Sequence, residues 1–191
     1  MKITASGESS LLLLGIIKRL DRLKIPYAIV GAFAASFHGW VRASLDADAV
    51  ISVEKSNEKL NQFLSLLKND GLKIEMRRGD SCDPIGCVIN VKDKFQNSVD
   101  LLMDIRGMKA DIYDRITTTS FMKQKIKIIG AEDFIAMKMY AGNAKDIEDA
   151  MGVLEVCNQK INLSLLKKLT LQYGKKELKR LEEILNDITN K

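Results

Sequence analysis

The segment YAIVGAFAASFHGWVRASLDADAVIS, residues 27–52, decides the fold because it predicts a strand, a turn, a short helix and a second strand. The first apolar run ends at Gly31, and small residues typical of a short helix follow it. Asp46 and Asp48 lie in the second run, DADAVISV. Since strand residues i and i+2 project from the same face, we expect the two carboxylates to lie side by side.

Two aspartates in a strand of this kind require a physical reason. An unpaired buried carboxylate costs several kcal/mol of folding free energy. Two like charges at short range also repel each other unless a cation lies between them. The pair therefore indicates a cation site, and the structural alternative is an edge strand with one face in water.

A third acid is available in SVDLLMDI, residues 98–105, which predicts another strand. Asp104 would lie about 13 Å along that strand from Asp100, too far to share one site with it, so Asp100 is the candidate. Hard cations such as Mg²⁺ prefer carboxylate and phosphate oxygens, and two such ions are able to flank a phosphoryl group during its transfer. We therefore expect Asp46, Asp48 and Asp100 to hold Mg²⁺, or alternatively Mn²⁺.

The order of elements predicts an α/β (α+β) fold, with a mixed sheet flanked by helices and followed by an α-helical bundle. A first helix should run from Ser9 or Ser10 to about Lys24, and another should be capped at Ser56 and end before Gly71. Further strands are expected at LKIEMRR, CVINVK, SVDLLMDI and KIKIIG, and a helix near GMKADIYDRI. Residues 1–130 should form the α/β core, and residues 131–191 a C-terminal helical region.

Composition favours a soluble cytoplasmic protein. The number of cysteines is three, and an odd number is typical of reduced thiols rather than of a disulfide framework. The apolar run LLLLGII at residues 11–17 is too short to span a membrane. The net charge is +5, and residues 160–191 carry eight Lys/Arg against four acids. This basic segment is either an ordinary solvated helical surface or a face that binds RNA.

The motifs also resemble a known family. VGA at 30–32, LDADAV at 45–50 and VDLL at 99–102 are similar to the nucleotidyltransferase superfamily of the polymerase-beta type. Together with MRRGD, DPIGCVI and IGAEDFIAMKMYAGNAKDIEDAMGVL they resemble bacterial minimal nucleotidyltransferases, including the AbiEii toxins of toxin–antitoxin systems. This resemblance covers residues 25 to 157.

The resemblance implies a role for each matching position. It implies that Gly31 and Ala32 form a phosphate-binding turn, and that the three aspartates bind metal and carry the catalysis. It further implies nucleotide binding by basic and acidic residues of later motifs, namely Arg77, Arg78, Lys138, Lys145, Asp146 and Asp149. The family's second glycine or serine is Ala32 here, and Asn143 stands where an arginine is common.

The function that this pattern predicts is metal-dependent transfer of a nucleoside monophosphate from an NTP, such as ATP, to a hydroxyl acceptor. The acceptor would be RNA or a tRNA end, a protein side chain, or a small aminoglycoside-like molecule. A toxin role would imply a cognate antitoxin as partner; no membrane partner is expected. The alternatives are a catalytically inactive nucleotide- or partner-binding module on the same fold, and a basic RNA-binding protein whose acids are incidental.

Overall fold

The computed structural model describes residues 3–53, 57–80, 82–157 and 160–189. Within these ranges the chain forms a seven-stranded mixed sheet with α-helices around it. The sheet confirms the predicted α/β fold. The predicted helix cap at Ser56 lies outside the described residues, and Asn57 caps that helix instead, accepting a hydrogen bond from Lys59 N at 2.9 Å.

The first half of the chain follows the predicted order of elements. Helix α1 (Ser9–Arg22) leads to β1 (Tyr27–Val30), α2 (Gly31–Phe37) and β2 (Asp46–Ile51). Helix α3 (Glu58–Asn69) and strands β3 (Lys73–Arg78), β4 (Ile85–Lys92) and β5 (Ser98–Ile105) come next. The wide apolar face of α1 is buried, and the helix packs against β2, β5 and α3.

The segment after β5 differs from its prediction. The helix expected near GMKADIYDRI is only a 3-10 helix, Ala110–Asp114, and the strand at KIKIIG is one arm of a hairpin formed by β6 (Thr117–Phe121) and β7 (Gln124–Ile128). Met122 and Lys123 make the hairpin turn with positive φ angles of 49° and 65°. Because such turns usually carry Asn or Gly, nothing in the local sequence indicates this one.

The rest of the described chain is helical, as predicted. It forms α4 (Ala131–Ala141), α5 (Ala144–Cys157), α6 (Leu163–Tyr173) and α7 (Lys175–Thr189). Helix α4 is buried on nearly all sides because α5, α6 and α7 all pack against it. The division of the chain at residue 130 stays a prediction. No helix in the described ranges is long and apolar enough to cross a membrane.

The strands of the sheet lie in the order β3-β4-β5-β2-β1-β7-β6, and the two faces of the sheet differ in what covers them. Side chains of β5 alternate, so that Val99, Leu101 and Met103 are buried in the core, whereas Asp100 and Leu102 on the other face are only half-buried. Helices α1 and α3 cover the first face. The second face, which carries Asp100, is called the site face below.

Ser9 joins the starts of the two aspartate-bearing strands. Its hydroxyl donates to the Leu45 carbonyl at 2.6 Å and accepts from the Ser98 amide at 3.1 Å. Leu45 directly precedes β2, Ser98 begins β5, and Ser9 itself is buried. The first turn of α1 thus holds the starts of β2 and β5 at a fixed distance from each other.

The Ser9→Ala substitution should lower the free energy of unfolding by about 1–3 kcal/mol, since it leaves the Leu45 carbonyl and the Ser98 amide without this partner. Urea unfolding followed by circular dichroism measures the change. Ser65→Ala, on the exposed side of α3, is the control and should change stability by less than about 0.5 kcal/mol. Equal stability of the two variants would contradict the bridging role of Ser9.

Candidate active site

Strand register brings the three predicted acids together. β2 pairs in parallel with β5 so that Asp48 lies opposite Asp100 and Asp46 lies opposite Ser98. A carboxylate oxygen of each of the three aspartates lies within 4.8 Å of the others. Asp46 is exposed, and Asp48 and Asp100 are half-buried. The cluster therefore opens to solvent on the Asp46 side.

Gly31 lies against this cluster. β1 runs antiparallel to β2 with Val30 opposite Asp48, so the turn into α2 begins beside the Asp48 side chain. Gly31 has a φ of +62°, and a Cβ atom placed there would lie 2.9 Å from Asp48 Cγ and would overlap its carboxylate. The position thus requires glycine both for its backbone angle and for the space that Asp48 occupies.

The environment of Asp48 disfavours its ionised form. Burial raises the pKa of Asp48 to about 6, and the neighbouring charges of Asp46 and Asp100 act in the same direction. Lys138 and Arg42 act in the opposite direction without cancelling the shift. Negative charge is therefore under-compensated at this point of the site face.

These features fit a divalent cation. Three carboxylates that converge within 4.8 Å offer the oxygen ligands that Mg²⁺ and Mn²⁺ prefer. A cation between them would also offset the repulsion from Asp46 and Asp100, which adds to burial in raising the pKa of Asp48. Asp104, which follows Asp100 by four residues on the same strand, lies outside the cluster.

A buried network of ion pairs lies beside the acids. Lys138 of α4, only 7% exposed, contacts Asp146 at 2.5 Å and Asp149 at 2.9 Å, both on α5. Arg42 binds the fully buried Asp149 through two hydrogen bonds of 2.6 and 3.0 Å. Burial by itself raises the pKa of Asp149, but Arg42 and Lys138 outweigh it, and the net shift is downward. Asp149 therefore stays ionised and holds both cations in place.

A cavity of about 190 Å³ connects these two groups. Gly31, Asp48, Lys138 and Asp146 line its polar end, and apolar side chains of β4, β5 and α4 line the rest. Four of the predicted site residues thus face one cavity.

Other predicted positions lie elsewhere. Lys145 is exposed and does not line the cavity. Arg78 is exposed on the edge strand β3 and pairs with Cys87, whose side chain is buried on the opposite face of the sheet from Asp100. The structure does not bring Arg78 together with the aspartates, whereas Arg77 pairs with Val88 and so shares the site face.

The two departures from the family pattern have structural explanations. Asn143 caps α5, where its side chain accepts from the Asp146 amide at 2.9 Å and also donates to the Asp146 carboxylate. Asn143 therefore orients the aspartate that binds Lys138. Ala32 is buried in the first turn of α2, where its methyl group is accommodated.

Sequence reasoning missed two residues of the site. Asn90 on β4 lies opposite Asp100 and donates to its carboxylate at 2.6 Å, which fixes the orientation of that side chain. Arg42 reaches Asp149 across 107 positions of the chain. Only knowledge of the strand pairing would have identified Asn90, and no local signal marks Arg42. The single histidine of the sequence, His38, is hydrogen-bonded through Nε2 to the Ile129 carbonyl at 2.9 Å, so this side chain has a structural partner.

Comparison with known proteins identifies the family. Residues 79–187, more than half of the chain, match the family described as nucleotidyl transferases of unknown function, DUF2204. The match includes Asp100 and the helices that carry Lys138, Asp146 and Asp149, and it begins after Gly31, Asp46 and Asp48. No curated protein matches the chain at a significant level.

Solved structures share the fold at low sequence identity. The antibiotic-resistance factor ANT(2'')-Ia, in complex with adenylyl-2''-tobramycin, aligns with a TM-score of 0.60 and 13% identity over 87% of this chain and 99% of its own. A putative nucleotidyltransferase from Thermotoga maritima gives 0.55 and 15% over 82% and 97%. An antigenic nucleotidyltransferase-like protein from Paracoccidioides brasiliensis gives 0.50 and 20% over 92% and 94%. From the family match, with the fold in agreement, the chain belongs to the DUF2204 nucleotidyl transferases.

Proposed function

We propose that this protein transfers a nucleoside monophosphate from an NTP to a hydroxyl group, with Asp46, Asp48 and Asp100 as the catalytic carboxylates. The convergence of these three side chains within 4.8 Å, next to the turn at Gly31, carries the proposal. Three like charges in one place lower stability, so a structural role alone does not account for them.

The three aspartates would hold Mg²⁺ or Mn²⁺. Such an ion, when bound, supplies a positive charge that stabilises the phosphoryl oxygens and the departing pyrophosphate. Asn90 keeps Asp100 pointed at the cluster by its hydrogen bond of 2.6 Å. Gly31 leaves the Asp48 carboxylate room to reach the same point.

The reaction is a substitution at the α-phosphorus of the NTP. The acceptor oxygen forms a bond to this phosphorus, the bond from the phosphorus to the bridging oxygen of the β-phosphate breaks, and pyrophosphate leaves. The hydroxyl proton passes to Asp100 in this proposal. The turn at Gly31 and Ala32 contacts the phosphates, and Lys138, held by Asp146 and Asp149, offsets the charge of the pyrophosphate.

The acceptor that we propose is a small hydroxyl-bearing molecule. The structural neighbours include ANT(2'')-Ia with adenylyl-2''-tobramycin and a lincosamide antibiotic adenylyltransferase with bound lincomycin. The basic C-terminal helices are a weaker argument for RNA, because Lys167 pairs with Glu182 and Lys179 with Glu183. A toxin role, a cognate antitoxin and a cytoplasmic location stay predictions.

The double substitution Asp46→Asn/Asp48→Asn should lower the rate of nucleotide transfer by at least about three orders of magnitude. The reason is that catalytic residues acting as one unit are all required, so removing two of them abolishes nearly all of the activity. The assay incubates the protein with Mg²⁺, each α-³²P-labelled NTP and separate pools of small hydroxylated compounds, RNA and protein. Asp104→Asn, an exposed acid of β5 outside the cluster, is the matched control and should keep its activity. Transfer that persists in the double variant would refute the assignment, and the labelled pool identifies the acceptor.

Without divalent cations, the contribution of Asp48 to the stability of the protein should fall as pH rises from about 4 to about 6. The pKa of Asp48 lies at about 6 in the folded protein against 3.8 for a free side chain, so the folded state binds the extra proton across this range. The resulting loss is on the order of 2–3 kcal/mol.

Thermal unfolding in EDTA at several pH values measures this loss. The quantity compared is the free energy of unfolding of the wild type minus that of the D48N variant, which lacks the titrating group. Mg²⁺ at pH 7 should restore stability to the wild type and not to the variant. A constant difference between the two proteins from pH 4 to 7 would contradict the raised pKa.

Gly31→Ala should destabilise the protein more than Gly71→Ala does. Both glycines have positive φ, at +62° and +77°, but a Cβ atom at Gly71 has nothing within 4 Å, whereas one at Gly31 meets Asp48. Gly71→Ala should therefore cost about 1–2 kcal/mol from backbone strain alone. Urea unfolding should show a further loss of at least about 1 kcal/mol for Gly31→Ala, and Asp48→Ala in the same chain should reduce it.

A further inference from the structure

The cavity beside Asp48 lies between the site face of the sheet and helix α4. It begins at Gly31 and Asp48, passes under Lys138, and extends along β5 to Ile105. Its volume of about 190 Å³ is sufficient for one flat ring system but not for a large acceptor.

The lining changes in character with depth. Beyond the polar end, the walls consist of aliphatic, proline and thioether side chains, namely Pro84, Ile85, Leu102, Ile105, Met137 and Ala141. Tyr140 is the lining side chain in this part that carries a hydrogen-bonding group, and its ring stacks on Tyr173 with centroids 5.0 Å apart. A molecule that fills the cavity would therefore be charged at one end and would present flat ring faces to the aliphatic walls at the other.

We propose that this cavity binds the base of the NTP, and that side chains contact the faces of the base without reading its hydrogen-bonding edge. The inference rests on the proposed function and adds a property to it: the enzyme accepts all four common bases. The triphosphate lies at the polar end, and the ring lies between Leu102 on the sheet and Ala141 on α4.

The walls favour the nucleotide over the acceptor as the occupant. Gly31 and Lys138, the groups suited to phosphate, line this cavity together with Asp48, whereas Asp46 and Asp100 do not. In a substitution at phosphorus, the attacking oxygen enters opposite the leaving pyrophosphate. The acceptor would then approach from the exposed Asp46 side, which leaves the cavity on the other side of Asp48 to the nucleotide.

The apolar lining limits base discrimination. Sites that bind a substrate through buried hydrogen bonds reject analogues by factors of about 10⁴–10⁵, whereas apolar pockets discriminate by only about 10–200-fold. We therefore expect the kcat/KM values for ATP, GTP, CTP and UTP to differ by less than about 100-fold, with purines preferred because their larger rings bury more surface.

Ala141→Trp tests the placement of the base. Ala141 is exposed at the edge of the cavity, so an indole there obstructs the cavity without altering the core. Calorimetry with Mg²⁺ and a non-hydrolysable ATP analogue should show at least about tenfold weaker binding than in the wild type. Tripolyphosphate, which has the phosphates but no ring, should bind equally to both proteins.

Leu171→Trp is the control variant, since Leu171 is an exposed side chain of α6 away from the cavity lining, and it should bind both ligands as the wild type does. Ile85→Trp, on the opposite wall from Ala141, provides an independent second test with the same expected result. Equal binding of the analogue by the wild type and both cavity variants would overturn the placement. A preference above about 100-fold for one base would show that the hydrogen-bonding edge of the base is recognised, and would overturn that part of the inference.

The outcome also distinguishes this inference from the proposed function. If the wild type transfers nucleotide but the cavity variants bind the analogue normally, the inference alone fails. If the wild type binds neither the analogue nor tripolyphosphate with Mg²⁺ present, both fail.

Discussion

Repulsion among three carboxylates is the constraint on which the rest of this structure depends. A carboxylate oxygen of each of Asp46, Asp48 and Asp100 lies within 4.8 Å of the others, and their repulsion adds to the effect of burial in raising the pKa of Asp48. The β2–β5 register places them there, Ser9 joins the starts of the two strands, and Gly31 provides the space for Asp48. The surrounding core holds these three charges together against their mutual repulsion.

The helical region completes the site as well as covering the sheet. Lys138 is fixed by two aspartates of α5, and Asp149 in turn binds Arg42 from the segment that leads into β2. Helix α7 contributes through Arg180, which donates to the Met139 carbonyl at 2.6 Å and lies against Gly142, the left-handed residue that ends α4. The sheet and the helices therefore position the residues around the cavity jointly, which explains how the last helices of the chain are connected to its chemistry.

The family match and the strand register contribute different parts of the functional conclusion. The family match covers Asp100 and the Lys138 motif, and it identifies the chain as a nucleotidyl transferase. The turn at Gly31 and the first two aspartates precede that match, and they are joined to it by the pairing of Asp48 with Asp100 and of Val30 with Asp48. The proposed catalytic group is thus assembled across the centre of the sheet from both parts of the chain.

The sequence by itself determined most of the helices and strands and marked the three acids as candidates, because alternation within a strand and periodicity within a helix are local properties. It did not reveal β6, whose turn lacks glycine and asparagine, nor Asn90 and Arg42, whose partners lie far along the chain. It also did not show which of Arg77 and Arg78 lies on the site face, since this follows from the pairing of β3 with β4. Only the tertiary structure decided these points, because register and burial are set by contacts between segments that the local sequence does not encode.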